Sequence, residues 1–166
     1  MKKRLISLVF ALSLLFCLFS HTAYAINNDK ACAGILNQLA MFKGTNSGYN
    51  LSAAPTRAQT LVMLIRLLGK ESDALAYKSE SAFGDISGSW CEPYVNYAYA
   101  HGLTTGMGDN TFSPDKYATI QQYSAMLLRA LGYSFDYSSA VTAAKNAGVF
   151  AYMYIPNNTF TRGNMV

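Results

Sequence analysis

The sequence predicts an all-α protein with long loops, and three observations carry that prediction. The stretch TRAQTLVMLIRLLG at positions 56–69 returns as TIQQYSAMLLRALG at positions 119–132, with 7 of 14 positions identical. That is an internal repeat. Both copies open with Thr, two residues and Gln, the capping box in which the Thr side chain takes the N3 amide and the Gln side chain returns to the N-cap amide, so both are helix starts. Before the first copy, DKACAGILNQLAMF at positions 29–42 carries apolar residues at 32, 35, 36, 39 and 42, the spacing of an amphipathic helix.

The N-terminal residues stand apart from the fold. Met1, Lys2, Lys3 and Arg4 make a basic start, residues 5–19 an apolar run, and Ala23, Tyr24 and Ala25 a small-x-small site. Residues 1–25 are therefore predicted to be a secretory signal peptide cut after Ala25. The run is shorter than the roughly 20 apolar residues that a bilayer span needs, which argues against an uncleaved anchor. Cys17 would be the modified residue of a lipoprotein, but bulky Phe16 precedes it where a small residue is wanted.

The remaining 141 residues have the size of one ordinary domain. The chain's formal charge of +4 shrinks without Lys2, Lys3 and Arg4, leaving ten basic residues against nine acidic ones. No polybasic patch is left, so neither nucleic acid nor, after cleavage, a membrane surface is an expected partner. Of the cysteines, Cys32 and Cys91 remain. One disulfide is open to them in an exported protein, but two cysteines in different repeats need not lie within bonding distance.

In chain order, the helix at 29–42 is followed by a polar Gly- and Asn-rich loop at 44–52 and then by the first capped helix. That helix is apolar at 58, 61–65, 67 and 68, more than one face can hold, which predicts burial nearly all round. Residues 71–77 add one or two turns. Residues 78–89 form a connecting loop with Phe83 and Ile86 as inward plugs. A helix at 90–101 has Pro93 in its first turn, where a missing amide is harmless, and Gly102 closes it. The loop at 103–117 is dense in Gly, Asn, Asp and Pro. Residues 138–147 repeat the earlier first helices, with Gly148 and Val149 matching Gly102 and Leu103, and residues 156–159 loop toward TRGNMV at 161–166, which begins a third copy.

With these residues in view, the chain resembles the S-layer homology (SLH) domains, repeated modules that hold bacterial surface proteins on the cell wall. The carriers are FGDISGSW at 83–90, PYVNYAYAHGLTTGMGDNTFSPD at 93–115, TRAQ at 56–59, which is similar to the family's TRAE box, and FTRG at 160–163. The resemblance spans roughly residues 30–166 and implies three modules, 26–77, 78–133 and an incomplete 134–166, around a pseudo-threefold bundle of the capped helices. It further implies grooves between modules that bind a secondary cell-wall polysaccharide, often one carrying acidic pyruvyl groups. Module one lacks the FxDIxxxW opening, module two has Ile120 where the box should hold Arg, and module three ends at Val166 before its apolar helix. A bundle short of one central helix is expected to expose apolar faces of the other two, which points to a truncated gene or the front of a longer protein.

Arg57 is the most informative charge, because the macrodipole disfavours a cation in a first turn by about 0.3–1 kcal/mol. Free amides at a helix start favour an anion, and an adjacent Arg would complete a carboxylate or phosphate site. The competing reading is an intramodule salt bridge or a packed guanidinium stem. Arg162 occupies the same position in its box, and Thr56 and Thr161 are the box residues beside them. Arg66 and Arg129 match each other in last turns, where a cation is simply favourable, and are read as structural. Trp90 is a candidate ligand wall, while Tyr94, Tyr97 and Tyr99, at helical spacing, read as core.

No cofactor or metal is expected. His101 sits at an ordinary helix end, Cys32 and Cys91 have no CxxC spacing or His cluster for zinc, and Gly106 and Gly108 lack the third Gly and preceding strand of a nucleotide fingerprint. Asp109, Thr111 and Ser113 alternate like calcium ligands, but the central Gly and terminal Glu are missing. The expectation is a noncatalytic, exported cell-wall anchor that binds an acidic wall polysaccharide. The alternatives are the anchor fragment of a larger secreted wall or polysaccharide hydrolase, and a self-associating S-layer subunit.

Overall fold

The computed structural model describes residues 29–45, 47–149 and 159–166; the expected signal peptide, its cleavage site and most of the loop before Thr161 lie outside the described residues. The architecture is all-α. The helices are α1 (Asp29–Gln38), α2 (Arg57–Leu67), α3 (Glu71–Ala76), α4 (Glu92–Ala100), α5 (Ile120–Ala130) and α6 (Ala140–Asn146), with single 3-10 turns at Gly84–Ile86, Tyr137–Ser139 and Arg162–Met165. Among the described residues extended pairing is confined to two isolated bridges, Thr45 with Gly48 and Thr56 with Tyr117.

Both repeat copies are capped as their sequence requires. Thr56 and Thr119 accept the amides of Gln59 and Gln122, whose side chains return to the N-cap amides. Each helix ends at a glycine in the left-handed region, Gly69 at φ 66° and Gly132 at φ 76°. The first helix is shorter than its apolar spacing predicts. Ala40 turns left-handed at φ 57°, and the amides of Met41 and Phe42 fold back to the Leu36 carbonyl, so Phe42 leaves the helix and is buried in the second core. Ile35 and Leu39, counted in that stripe, are exposed.

Helix α2 joins two cores. Its Leu61, Val62, Leu64 and Ile65 pack with Phe83, Ile86, Cys91, Val95 and Phe112, while Met63 belongs to a second cluster with Ala125, Leu128, Ala144, Phe160 and Met165. This is why it is apolar nearly all round. Helix α4 packs on α2 and α3, α6 packs on α5, and α2 and α5 touch each other. Phe83 and Ile86 are buried plugs as expected. Along α2 and α5 the apolar positions are buried, and exposure is concentrated at their C-terminal ends, in Leu68 and Leu131. Among the described residues no disulfide is formed. Cys91 lies in the first core with its thiol 3.3 Å from the Ser89 hydroxyl, and burial pushes that thiol up.

Candidate functional site

The two arginines that follow a box Thr are both drawn inward and held in the same way. Arg57 is 2 % exposed; its Nε donates to the Phe112 carbonyl at 2.8 Å and its guanidinium lies 4.8 Å over the Phe112 ring. Arg162 donates from Nε to the Tyr49 carbonyl at 3.0 Å and lies 4.9 Å over the Phe42 ring. Tyr49 and Phe112 are 63 residues apart, the same offset that relates the two capped helices. The brace under Arg57 continues outward: Asp85 accepts the amides of Phe112 at 2.9 Å and Ser113 at 2.6 Å, fixing the carbonyl that Arg57 uses.

Each arginine walls a groove. The first, about 220 Å³, is lined by the turn at 41–45, Gln59, Met63 and Arg66, with Arg162 and Trp90. The second, about 470 Å³, is lined by the turn at 104–108, Gln122, Met126 and Arg129, with Arg57 and Tyr137. Adding 63 to the first set of turn and helix residues gives the second set, so the repeat builds the same concavity twice. Each is completed by an arginine from another box and by an aromatic residue from the segment that follows, Trp90 or Tyr137. Trp90 is 60 % exposed with Tyr94 edge-on beneath it, ring centroids 6.4 Å apart, so it is not a core residue.

The expectation of free helix-start amides is corrected. The Arg57 amide donates to the Lys116 carbonyl at 2.8 Å, that of Ala58 to Pro114 at 3.1 Å and that of Gln59 to the Thr56 hydroxyl. The Arg162 and Gly163 amides likewise donate to Ala53 and Leu51. Long loops between repeats run back over the helix starts and consume the donors there. Thr56 and Thr161 are engaged in their own caps, with Gln59 and Asn164, and line neither groove. Any anion in these grooves therefore meets side chains, not the helix end.

The guanidinium groups differ in how well they are satisfied. Burial lowers the Arg57 pKa, against the pull of Tyr137 and Asp85, and burial lowers that of Arg162 as well. Arg57 Nη2 is buried with no hydrogen-bond partner among the described residues, a state that costs about 1–3 kcal/mol or more for a charged donor. No ion pair forms to either arginine among the described residues, so the salt-bridge alternative for Arg57 does not hold, whereas stacking of its stem does. Arg66 pairs with Glu71 at 2.9 Å, the structural role expected of it, yet it also lines the first groove. Arg129 lies 5.6 Å over the Phe135 ring and lines the second. Tyr94 and Tyr97 are buried as expected, Tyr94 donating to Glu71 and Tyr97 stacking on His101, but Tyr99 is half exposed against Phe83. Asp109 turns its own loop by accepting the Thr111 amide and hydroxyl.

Sequence reasoning missed Lys43, Gln59, Arg66, Gln122, Arg129 and Tyr137 as groove residues. The offset of 63, applied to the loops as well as to the capped helices, is the signal that could have paired the two turns.

The middle cell wall protein of Brevibacillus brevis is 27% identical over 137 residues, covering 78% of this chain and 13% of that protein. A cell surface protein of Thermoanaerobacter kivui is 33% identical over 65% of this chain and 15% of its own length. Endo-1,4-beta-xylanase A of Thermoanaerobacterium saccharolyticum is 31% identical over 60% of this chain and 10% of its length. The chain thus spans a small fraction of each of these relatives. Residues 82–122, which contribute Asp85, Trp90, Phe112 and the turn of the second groove, match the S-layer homology domain.

Proposed function

We propose that the protein attaches to the bacterial cell wall by binding, without catalysis, a secondary wall polysaccharide that carries acidic groups. The observation that carries this reading is the pair of grooves in one repeat register, each walled by an inward arginine, with Arg57 keeping a buried Nη2 that has no partner among the described residues. A carboxylate is the group that fits such a fork, because charge-assisted N–H donors engage it in a fixed planar geometry. Trp90, exposed at the rim of the first groove, offers an apolar face to a sugar ring. In this reading residues 1–25 direct export, and 26–77, 78–133 and 134–166 are successive modules, the last incomplete, set around a pseudo-threefold axis. The protein then resides at the cell surface, in keeping with relatives described as cell wall and cell surface proteins.

A second reading is favoured by the similarity to the xylanase: the chain is the wall-binding part of a larger secreted polysaccharide hydrolase. Both readings share one test. The protein is sedimented with purified wall sacculi, before and after chemical removal of their acidic glycan. Wild type should pellet with untreated sacculi only. Arg57→Ala, in protein that keeps its helical circular dichroism, should bind about tenfold to a hundredfold more weakly, the loss of roughly 1.5–3 kcal/mol from a charge-assisted contact. Equal pelleting by both proteins would return Arg57 to a packing role.

A further inference from the structure

The two grooves keep the same arginine at the far end of the capped helix but not the same neighbour. Arg66 and Arg129 are 63 residues apart, and the same step from Glu71 arrives at Ser134. Behind the first groove's Arg66 and Lys43, the Glu71 carboxylate accepts from Arg66 Nε at 2.9 Å and Tyr94 Oη at 3.0 Å, and it pairs with Lys43 Nζ at 3.3 Å. Both cations that flank Arg162 are thereby engaged by one carboxylate. Arg162 itself has all three nitrogens occupied, by the carbonyls of Tyr49 and Lys43 and by Gln59 Oε1. Five residues after Arg129, Ser134 is an exposed hydroxyl, and in the second groove Arg129 has an aromatic face and no ion pair, and Arg57 Nη2 no hydrogen-bond partner, among the described residues.

Resting on the wall-binding reading above, we infer that the acidic group of the glycan is taken by the second groove alone, between Arg57 and Arg129, and that Glu71 is an internal carboxylate that keeps the first groove from taking it. A tethered carboxylate competes at an effective concentration of order millimolar or more, so a free one of modest affinity is displaced from Arg66 and Lys43. The first groove is left to uncharged sugar against Trp90. Arg129 becomes a binding residue, whereas Arg66, its repeat partner, does not.

The test is titration calorimetry of the protein with oligosaccharides released enzymatically from purified sacculi, and with the same material after its carboxyl groups are reduced to alcohols. Wild type should bind one acidic chain end per protein, with affinity lost on reduction. Glu71→Gln, which keeps the side-chain shape, should gain a second acidic site. Ser134→Glu, at an exposed position, should weaken the wild-type site tenfold or more by supplying the missing carboxylate. Arg129→Ala should do the same and Arg66→Ala should leave it within about twofold. Two equal acidic sites in wild type, an unchanged stoichiometry in Glu71→Gln, or wild-type affinity in Ser134→Glu would each overturn the inference while leaving wall binding intact. Failure of wild type to pellet with sacculi would overturn the wall-binding reading itself.

Discussion

Gly106 forms the floor of the second groove, and replacing it with alanine separates two costs that usually arrive together. Its φ of 74° lies in the left-handed region, where an L side chain costs roughly 1–2 kcal/mol. A Cβ there would also stand 2.5 Å from a Phe83 ring carbon and 2.7 Å from the Thr111 carbonyl oxygen. That oxygen already accepts the Met107 amide at 2.8 Å, and Phe83 is buried between Tyr99 and Phe112, so neither neighbour can yield freely. Forced overpacking of this kind adds about 1–3 kcal/mol, for a total near 2–5 kcal/mol. Gly108, two residues on, has φ 91° but nothing within 4 Å of its Cβ position, so Gly108→Ala should lose only about 1–2 kcal/mol. Urea unfolding followed by circular dichroism would compare the two midpoints at constant slope. Gly106→Ala should lie the further below wild type, and equal midpoints would refute the claim that close approach, over and above backbone conformation, fixes glycine at that position.

Other expectations follow from the same contacts. Burial pushes the Glu71 carboxyl up, but hydrogen bonds from Arg66, Tyr94 and Lys43 outweigh it and hold the group below its usual range. A folded pKa below the unfolded one gives stability that is present above the ordinary carboxylate pKa and lost as pH falls through the folded value, so wild type should lose more stability than Glu71→Gln on acidification. Parallel stability curves for the two would disprove it. Tyr123, stacked on Phe160, has its phenol pushed up to about 12 by burial. Its contribution is complete below the unfolded value of about 10 and is lost as pH rises through about 12; Tyr123→Phe should flatten that alkaline decline in denaturation curves, and an identical decline would count against the buried phenol. Mass spectrometry of the protein from its producing cell should find Ile26 at the N-terminus, and an intact Met1 would overturn the signal-peptide assignment.

What was legible in the sequence was local and periodic. Thr56 and Gln59 declared a helix start because the capping box needs only residues three apart, and Phe83 and Ile86 declared themselves as plugs because large apolar residues in a polar loop have one favourable place to go. The end of α1 was not legible. Its apolar spacing runs on to Phe42, and only the left-handed turn at Ala40, a residue that rarely adopts that conformation and so does not announce it, diverts Phe42 beneath Arg162. The groove walls were hidden for a different reason. Arg66 and Arg129 read as ordinary last-turn cations, and nothing local tells one from the other; Arg66 pairs with Glu71 and Arg129 lies over Phe135, contacts made only once the chain has turned at Gly69 and Gly132.

The state of the helix-start amides decides which groups an anion entering these grooves would meet. A bare helix end attracts any anion, and its donors point along the axis whatever the ligand. Here the loops ending at Ala53 and Lys116 deliver carbonyls to those donors, so the general attraction is spent within the protein and the charge that remains belongs to side chains. Those side chains come from separate segments: Arg57 is braced through Phe112 and Asp85, Arg129 stands on the neighbouring helix, and Tyr137 comes from the turn beyond. A site assembled in this way can be changed one groove at a time. Ile120, standing where the other boxes hold Arg, and Glu71, standing where the second repeat has Ser134, are two such changes, and neither disturbs the capped helices on which the fold depends.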